Sequence, residues 1–292
     1  MALVCEDLAR YGVVLIPTST TEYFGLLADI EHRLQTRPEG APPVDDAAIS
    51  RISEHDTSGS AILLNRAQVA IASIAYRWSN TLICLPGTNP SVLLPFGMDE
   101  RRRKFDAYWN TIFPGSKRLM TCDGSRHGDN TDVRSPAADE LWRGGPGFWS
   151  VNAGRWPHRP QPSKLTLDGV FFVDGGFAGP NQLGSWEQTL SAAEAHLACG
   201  AMAQEARGKG TPAAEFFAEV QAFTGSTDED GMPVPPPPHW GFMPVDPEAI
   251  RKYQRQMVGR RVAAVRKHSG DEAAFAQIED WADAPVPRFH KL

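Results

Sequence analysis

The residues best suited to chemistry lie in a short polar stretch, residues 126–132 (RHGDNTD), where one glycine separates His127 from Asp129. An imidazole and a carboxylate at this spacing can take two adjacent positions on an iron(II) ion and leave others open. A facial triad needs a third ligand, and His239 is the candidate. With 8 histidines and 35 acidic residues among 292, about one such His-x-acid pair is expected by composition alone.

The opening YGVVLIP, the amphipathic stretch that follows it and the H-x-D pair together resemble iron(II)- and 2-oxoglutarate-dependent oxygenases. That resemblance implies Fe(II) and 2-oxoglutarate as cofactors and a small-molecule substrate. It implies His127, Asp129 and His239 as ligands and Arg251 or Arg255 at the 2-oxoglutarate. It also implies roughly eight strands around the site, whereas the chain after His239 patterns as helix. A second element, VDGGFAGPN, resembles the Asp-Gly-Gly segment of patatin-like lipases, with Asp174 as the dyad acid. Those enzymes need a G-x-S-x-G turn, and the nearest serine, Ser60 in TSGSA, lacks it. The stretch reads as a strand ending in a glycine-rich turn.

Other chemistries find less support. Cys122, His127 and His158 have no zinc-ligand spacing. GGPGF lacks the lysine of a phosphate-binding loop. The four cysteines, Cys5, Cys84, Cys122 and Cys199, form no CxxC pair and read as reduced thiols, which predicts a cytoplasmic protein. No signal-peptide pattern opens the chain. A net charge of −6 argues against a protein that grips nucleic acid over its whole surface. One predicted helix, residues 247–267, is nevertheless strongly basic. Arg251, Arg255, Arg260, Arg261 and Arg266 crowd it and could seat an acidic partner or a nucleic-acid backbone.

Two further features suggest contact surfaces. Trp142, Trp149 and Trp156 recur every seven residues in a Gly/Pro-rich stretch with no helical period. Pro235, Pro236, Pro237 and Pro238 force an extended arm within residues 232–247.

The elements that must position these residues are read from hydrophobic period. Residues 61–78 (AILLNRAQVAIASIAYRW) place apolar side chains at i, i+3 and i+4, which predicts a buried central helix. Arg66, Arg77, Asn65 and Gln68 make it a costly membrane span, and no membrane association is expected. Strands are expected at residues 11–16 and 165–173. Helices are expected at 20–35, 98–113, 186–206, 212–223, 247–267 and 271–281. The predicted fold is mainly α, with α+β as the alternative: a helical core around residues 61–78, few short strands and long Pro/Gly-rich loops. Residues 1–113 form an N-terminal helical part, 114–185 a Trp/Gly/Pro-rich region with one strand, and 186–292 a C-terminal helical part. Together they are expected to make one compact unit.

The reading these features favour is a non-catalytic, self-associating subunit of coat or capsid type, homo-oligomeric and without a cofactor. The basic helix would supply contact with a polyanion. The oxygenase is the alternative.

Overall fold

The computed structural model describes residues 4–35, 60–79, 93, 94, 96, 111–121, 126–128, 164–182, 184–225 and 246–292. The architecture is mixed α/β, not mainly α. It contains a four-stranded and a five-stranded sheet.

The four-stranded sheet is antiparallel. It runs β2 (Val13–Pro17), β3 (Ser60–Asn65), β5 (Lys117–Thr121) and β6 (Arg126–Gly128). The five-stranded sheet is built on β7 (Lys164–Phe172). Strand β4 (Ile71–Ser79) pairs with it antiparallel. Strand β1 (Val4–Glu6) runs parallel to its start, and β8 (Gly176–Ala178) turns back along its end. Strand β9 (His290–Lys291) adds in parallel to β8.

Residues 61–78 are therefore two strands in two different sheets, not a central helix. Strand β3 is buried on both faces. Ala61 and Leu63 point into the space between the sheets, while Ile62 points outward onto helix α1 (Thr21–Gln35). Strand β4 is likewise buried from Ile71 to Tyr76. Two doubly buried strands end to end make one long apolar run, and periodicity cannot tell such a run from a buried helix. The expected helix at 98–113 falls mostly outside the described residues. Its last residues are extended, and Ile112 bridges Ile71.

Alternation along the strands sorts side chains into layers. Leu15, Leu63, Met120, Ile74, Leu167, Val170 and Phe172 fill the space between the sheets. Ile16, Ile62 and Leu119 face the other way and receive Tyr23 and Ile30 of α1. Tyr23 also hydrogen-bonds Ser60 at 2.6 Å, and Asp29 of α1 pairs with the buried Lys117 of β5. On the far side, Ala72, Phe171 and Phe177 face the C-terminal helices. The order is helix, sheet, sheet, helices.

Those helices are α2 (Ser185–Lys209), α3 (Ala213–Thr224), α4 (Pro247–Ser269) and α5 (Asp271–Glu279), followed by a 3-10 turn at Asp280–Asp283. Each matches an expected helix to within a few residues. Asp246 caps α4 by accepting the Glu248 N–H at 3.0 Å, with Pro247 in the first turn. Helix α2 is central and lined by small residues. Gly200 in its middle lies against the Trp281–Ala282 backbone so closely that a Cβ there would collide with it. The 3-10 turn thus docks directly on α2. No helix among the described residues is long and apolar enough to cross a membrane.

Candidate interaction site

The site begins at a defect in β7. Ala75 pairs with Gly169 but Tyr76 pairs with Leu167, so Asp168 is an extra residue, a β-bulge. The bulge resets alternation: Leu165 and Leu167 face the inter-sheet core before it, Val170 and Phe172 after it. It also turns Asp168 toward the loop that leaves β8. The Asp168 carboxylate accepts the Gln182 N–H at 2.6 Å, and its carbonyl accepts the Asn181 N–H at 2.9 Å.

Asn181 then organises the start of α2. It is left-handed (φ 59°), a conformation asparagine tolerates. Its Oδ1 accepts the Trp186 N–H at 2.9 Å, and its Nδ2 donates to Glu187 at 2.6 Å. These bonds satisfy an otherwise unpaired donor of the helix N-terminus. They also place Trp186 against the outer face of the five-stranded sheet.

Trp186 completes an aromatic groove. Its ring stacks on Phe171 at 6.1 Å and 5°, and lies 5.4 Å from Phe177. The C-terminal segment occupies this groove. Phe289 sits edge-on to both Phe171 and Trp186, at 6.1 and 6.3 Å, and Lys291 lies 5.3 Å over Trp186. Backbone bonds follow the same path: His290 N–H to Gly175 O at 3.1 Å and Leu292 N–H to Phe177 O at 2.9 Å. This is strand addition to a sheet edge, with an aromatic anchor.

The β7–β8 turn makes room for that segment. Asp174 accepts the Gly176 N–H at 2.9 Å and closes the turn, so its carboxylate is occupied structurally. Gly175 has φ 91°, and a Cβ on it would lie 2.6 Å from the Arg288 carbonyl. The glycine-rich VDGGFAGPN stretch is thus a hairpin turn fitted to a neighbouring backbone.

An apolar face adjoins the turn. Ile71 bridges Ile112 on one side and pairs with Phe172 on the other, and Val173 donates to the Ala70 carbonyl. Phe113, Ala70 and Val173 therefore lie side by side. Phe113 is 42% and Val173 41% exposed; Leu292, beside Gly176, is 56% exposed. Phe113 and Val173 are two of the five exposed large hydrophobic residues among those described.

A second unusual cluster lies inside the helical layer. His196 of α2 stacks on Phe96 at 4.3 Å and 7°, with Trp281 5.0 Å away. Its Nδ1 meets the Ala192 carbonyl at 2.7 Å, while Nε2 and the Trp281 Nε1 have no hydrogen-bond partner among the described residues. Burial pushes the His196 pKa down to about 3 from 6.5. The Arg261 charge acts in the same direction, and the Ala192 bond partly opposes both. The folded protein thus holds this histidine neutral, while the unfolded chain takes up a proton below its ordinary pKa. Stability from this group is present above about pH 6.5 and is lost as pH falls toward about 3, at about 1.4 kcal/mol per pH unit. Urea titrations across that window should show this slope in the native chain and a shallower one in His196→Phe. Equal slopes would mean that His196 is not the linked group.

The expected site residues are scattered. His127 is on β6, in the sheet that faces α1, with its backbone opposite Leu119. Arg251 and Arg255 are on α4, in the helical layer beyond the other sheet. Asp129, His239, Trp142, Trp149, Trp156, Pro235, Pro236, Pro237 and Pro238 lie outside the described residues, as do Cys122 and His158. Among the described residues no group of three or more His, Cys, Asp or Glu side chains is placed to hold a metal ion.

The basic helix is largely engaged with its own neighbours. Arg255 lies over Phe223, Arg261 donates to the Phe96 carbonyl, and Arg266 forms a bidentate pair with Asp271 at 2.8 and 3.1 Å while covering Phe217. Arg260 is half-buried beside Tyr253, and Arg251 is exposed. Cys199 is a buried thiol raised to about 12 by burial.

Sequence reasoning missed Phe171, Phe177, Trp186 and Phe289 as one cluster. The available signal was GPNQLGSWE directly after a strand, a turn that leads into a helix carrying an aromatic residue in its first turn. No known protein family, curated protein or solved structure matches this chain.

Proposed function

We propose that this chain is a non-catalytic, self-associating structural subunit. The observation that carries the reading is the apolar pair beside the β7–β8 turn, where Phe113 and Val173 flank Ala70 on neighbouring strands and are both exposed. Single exposed hydrophobic residues are ordinary, but a grouped set marks a contact surface. A second copy of the chain is the partner that needs no further component. Contact with a polyanion is the weaker part of the reading, because Arg255, Arg261 and Arg266 already serve the helical layer.

Size-exclusion chromatography with light scattering over a concentration series tests it. The native chain is expected to elute above monomer mass as concentration rises. The double variant Phe113→Asp/Val173→Asp is expected to shift the association at least tenfold toward monomer. A strict monomer at every concentration would remove the proposal.

A further inference from the structure

The segment that follows the 3-10 turn is bound to its own chain as a peptide ligand would be. It has two backbone bonds to the β8 hairpin, one aromatic anchor between Phe171 and Trp186, and one cation over Trp186. Among the described residues, the hydrogen bonds that tie β9 to the rest of the chain go to the hairpin, apart from the Tyr11 hydroxyl on the Leu292 carbonyl at 3.4 Å. Between the 3-10 turn and β9 the chain is Ala284-Pro285-Val286-Pro287-Arg288-Phe289. Ala284 is extended (ψ 135°), and the only backbone bond inside this link is a three-residue turn, Val286 N–H to Ala284 O at 2.8 Å. Two prolines limit the link to extended forms.

We infer that residues 284–292 exchange between two copies of this chain, with β9 of each copy docking on β8 of the other. The inference rests on the self-association reading and names its mode. Every contact of the segment within one chain can be remade across two, because the groove and the strand are the same in both copies. The straightened Pro-Val-Pro link gives up one hydrogen bond and gains reach. A two-fold arrangement follows, since each copy both gives and receives a strand.

The test uses full-length chains. Phe289→Ala disables the strand and leaves the groove; Trp186→Ala disables the groove and leaves the strand. Each variant alone is expected to run as monomer at a concentration where the native chain is dimeric. Mixing the two should restore a heterodimer, seen as pull-down of an untagged chain by a tagged one, because one intact groove then meets one intact strand. Lys291→Glu, at an exposed position, serves as a second strand variant, with circular dichroism confirming that each variant folds. Variants that stay dimeric would overturn the exchange and leave self-association standing, and so would a mixture that shows no recovery. A native chain that never dimerises would overturn both.

Discussion

Ile71→Asp is expected to leave no soluble folded protein. Ile71 is fully buried between the sheets, at the point where β4, β7 and the chain at Ile112 meet. An aspartate there places a carboxylate in the inter-sheet core with no cation supplied to pair it. The cost is several kcal/mol for an unpaired buried charge, against a total stability of about 5–15 kcal/mol for a typical domain. Val173→Asp is the matched control: next in the chain to Phe172, the partner of Ile71 across the sheet, it is 41% exposed and should fold. Soluble yield and the circular dichroism spectrum measure both. A folded Ile71→Asp chain would contradict the burial of that strand.

Asn65→Ala is expected to cost about 3 kcal/mol, because it removes three side-chain hydrogen bonds to the backbone at about 0.5–1.5 kcal/mol each. Asn65 is fully buried at the corner where the chain leaves one sheet for the other. Its Nδ2 donates to the Val69 and Ile112 carbonyls at 3.1 and 2.8 Å, and its Oδ1 accepts the Ala67 N–H at 3.0 Å. One side chain thus closes the turn and ties it to a neighbouring segment. Asn65→Asp keeps the acceptor but turns both donor contacts into oxygen facing oxygen, so it should be at least as damaging at neutral pH. Urea denaturation of the two variants measures this. Losses under 1 kcal/mol would show that water replaces the side chain and that the corner does not depend on it.

That corner explains why residues 61–78 carry a helical period although they form two strands. Turns usually announce themselves with glycine or proline. Residues 66–70 (RAQVA) contain neither, because Asn65 closes the turn through a side-chain bond to the backbone two residues on. Without punctuation, two buried strands of Ile, Leu and Ala merged into one helical-looking run. The bulges at Ala72 and Asp168 added to the confusion by breaking strict alternation. The C-terminal helices were legible for the opposite reason. Asp246-Pro247 marks one start, and glycines at 210, 225 and 270 mark three ends.

The candidate site was less legible than the fold. Its parts come from β7, β8, the first turn of α2 and residues 288–292, more than a hundred residues apart at the extremes. VDGGFAGPN was visible as a glycine-rich turn, but the need for glycine at 175 arises from the Arg288 carbonyl beside it. The arginines of the basic helix were visible as charge. Their engagement with Phe223, Phe96 and Asp271 depends on which helices pack against α4.

The sequence by itself determined the local elements: strand β2, helix α1, strand β7 and the four C-terminal helices, each specified by period, caps and breakers within a short window. It also determined the acidic balance that argues against wholesale nucleic-acid binding. Only the tertiary structure decided that residues 61–78 are two strands, that Asp168 is a bulge, and that Trp186, Phe171, Phe177 and Phe289 form one groove. The physical reason is that burial on both faces erases the period that distinguishes strand from helix. A groove built from distant segments has no period at all; it exists only once the sheets, the helices and the final strand have packed together.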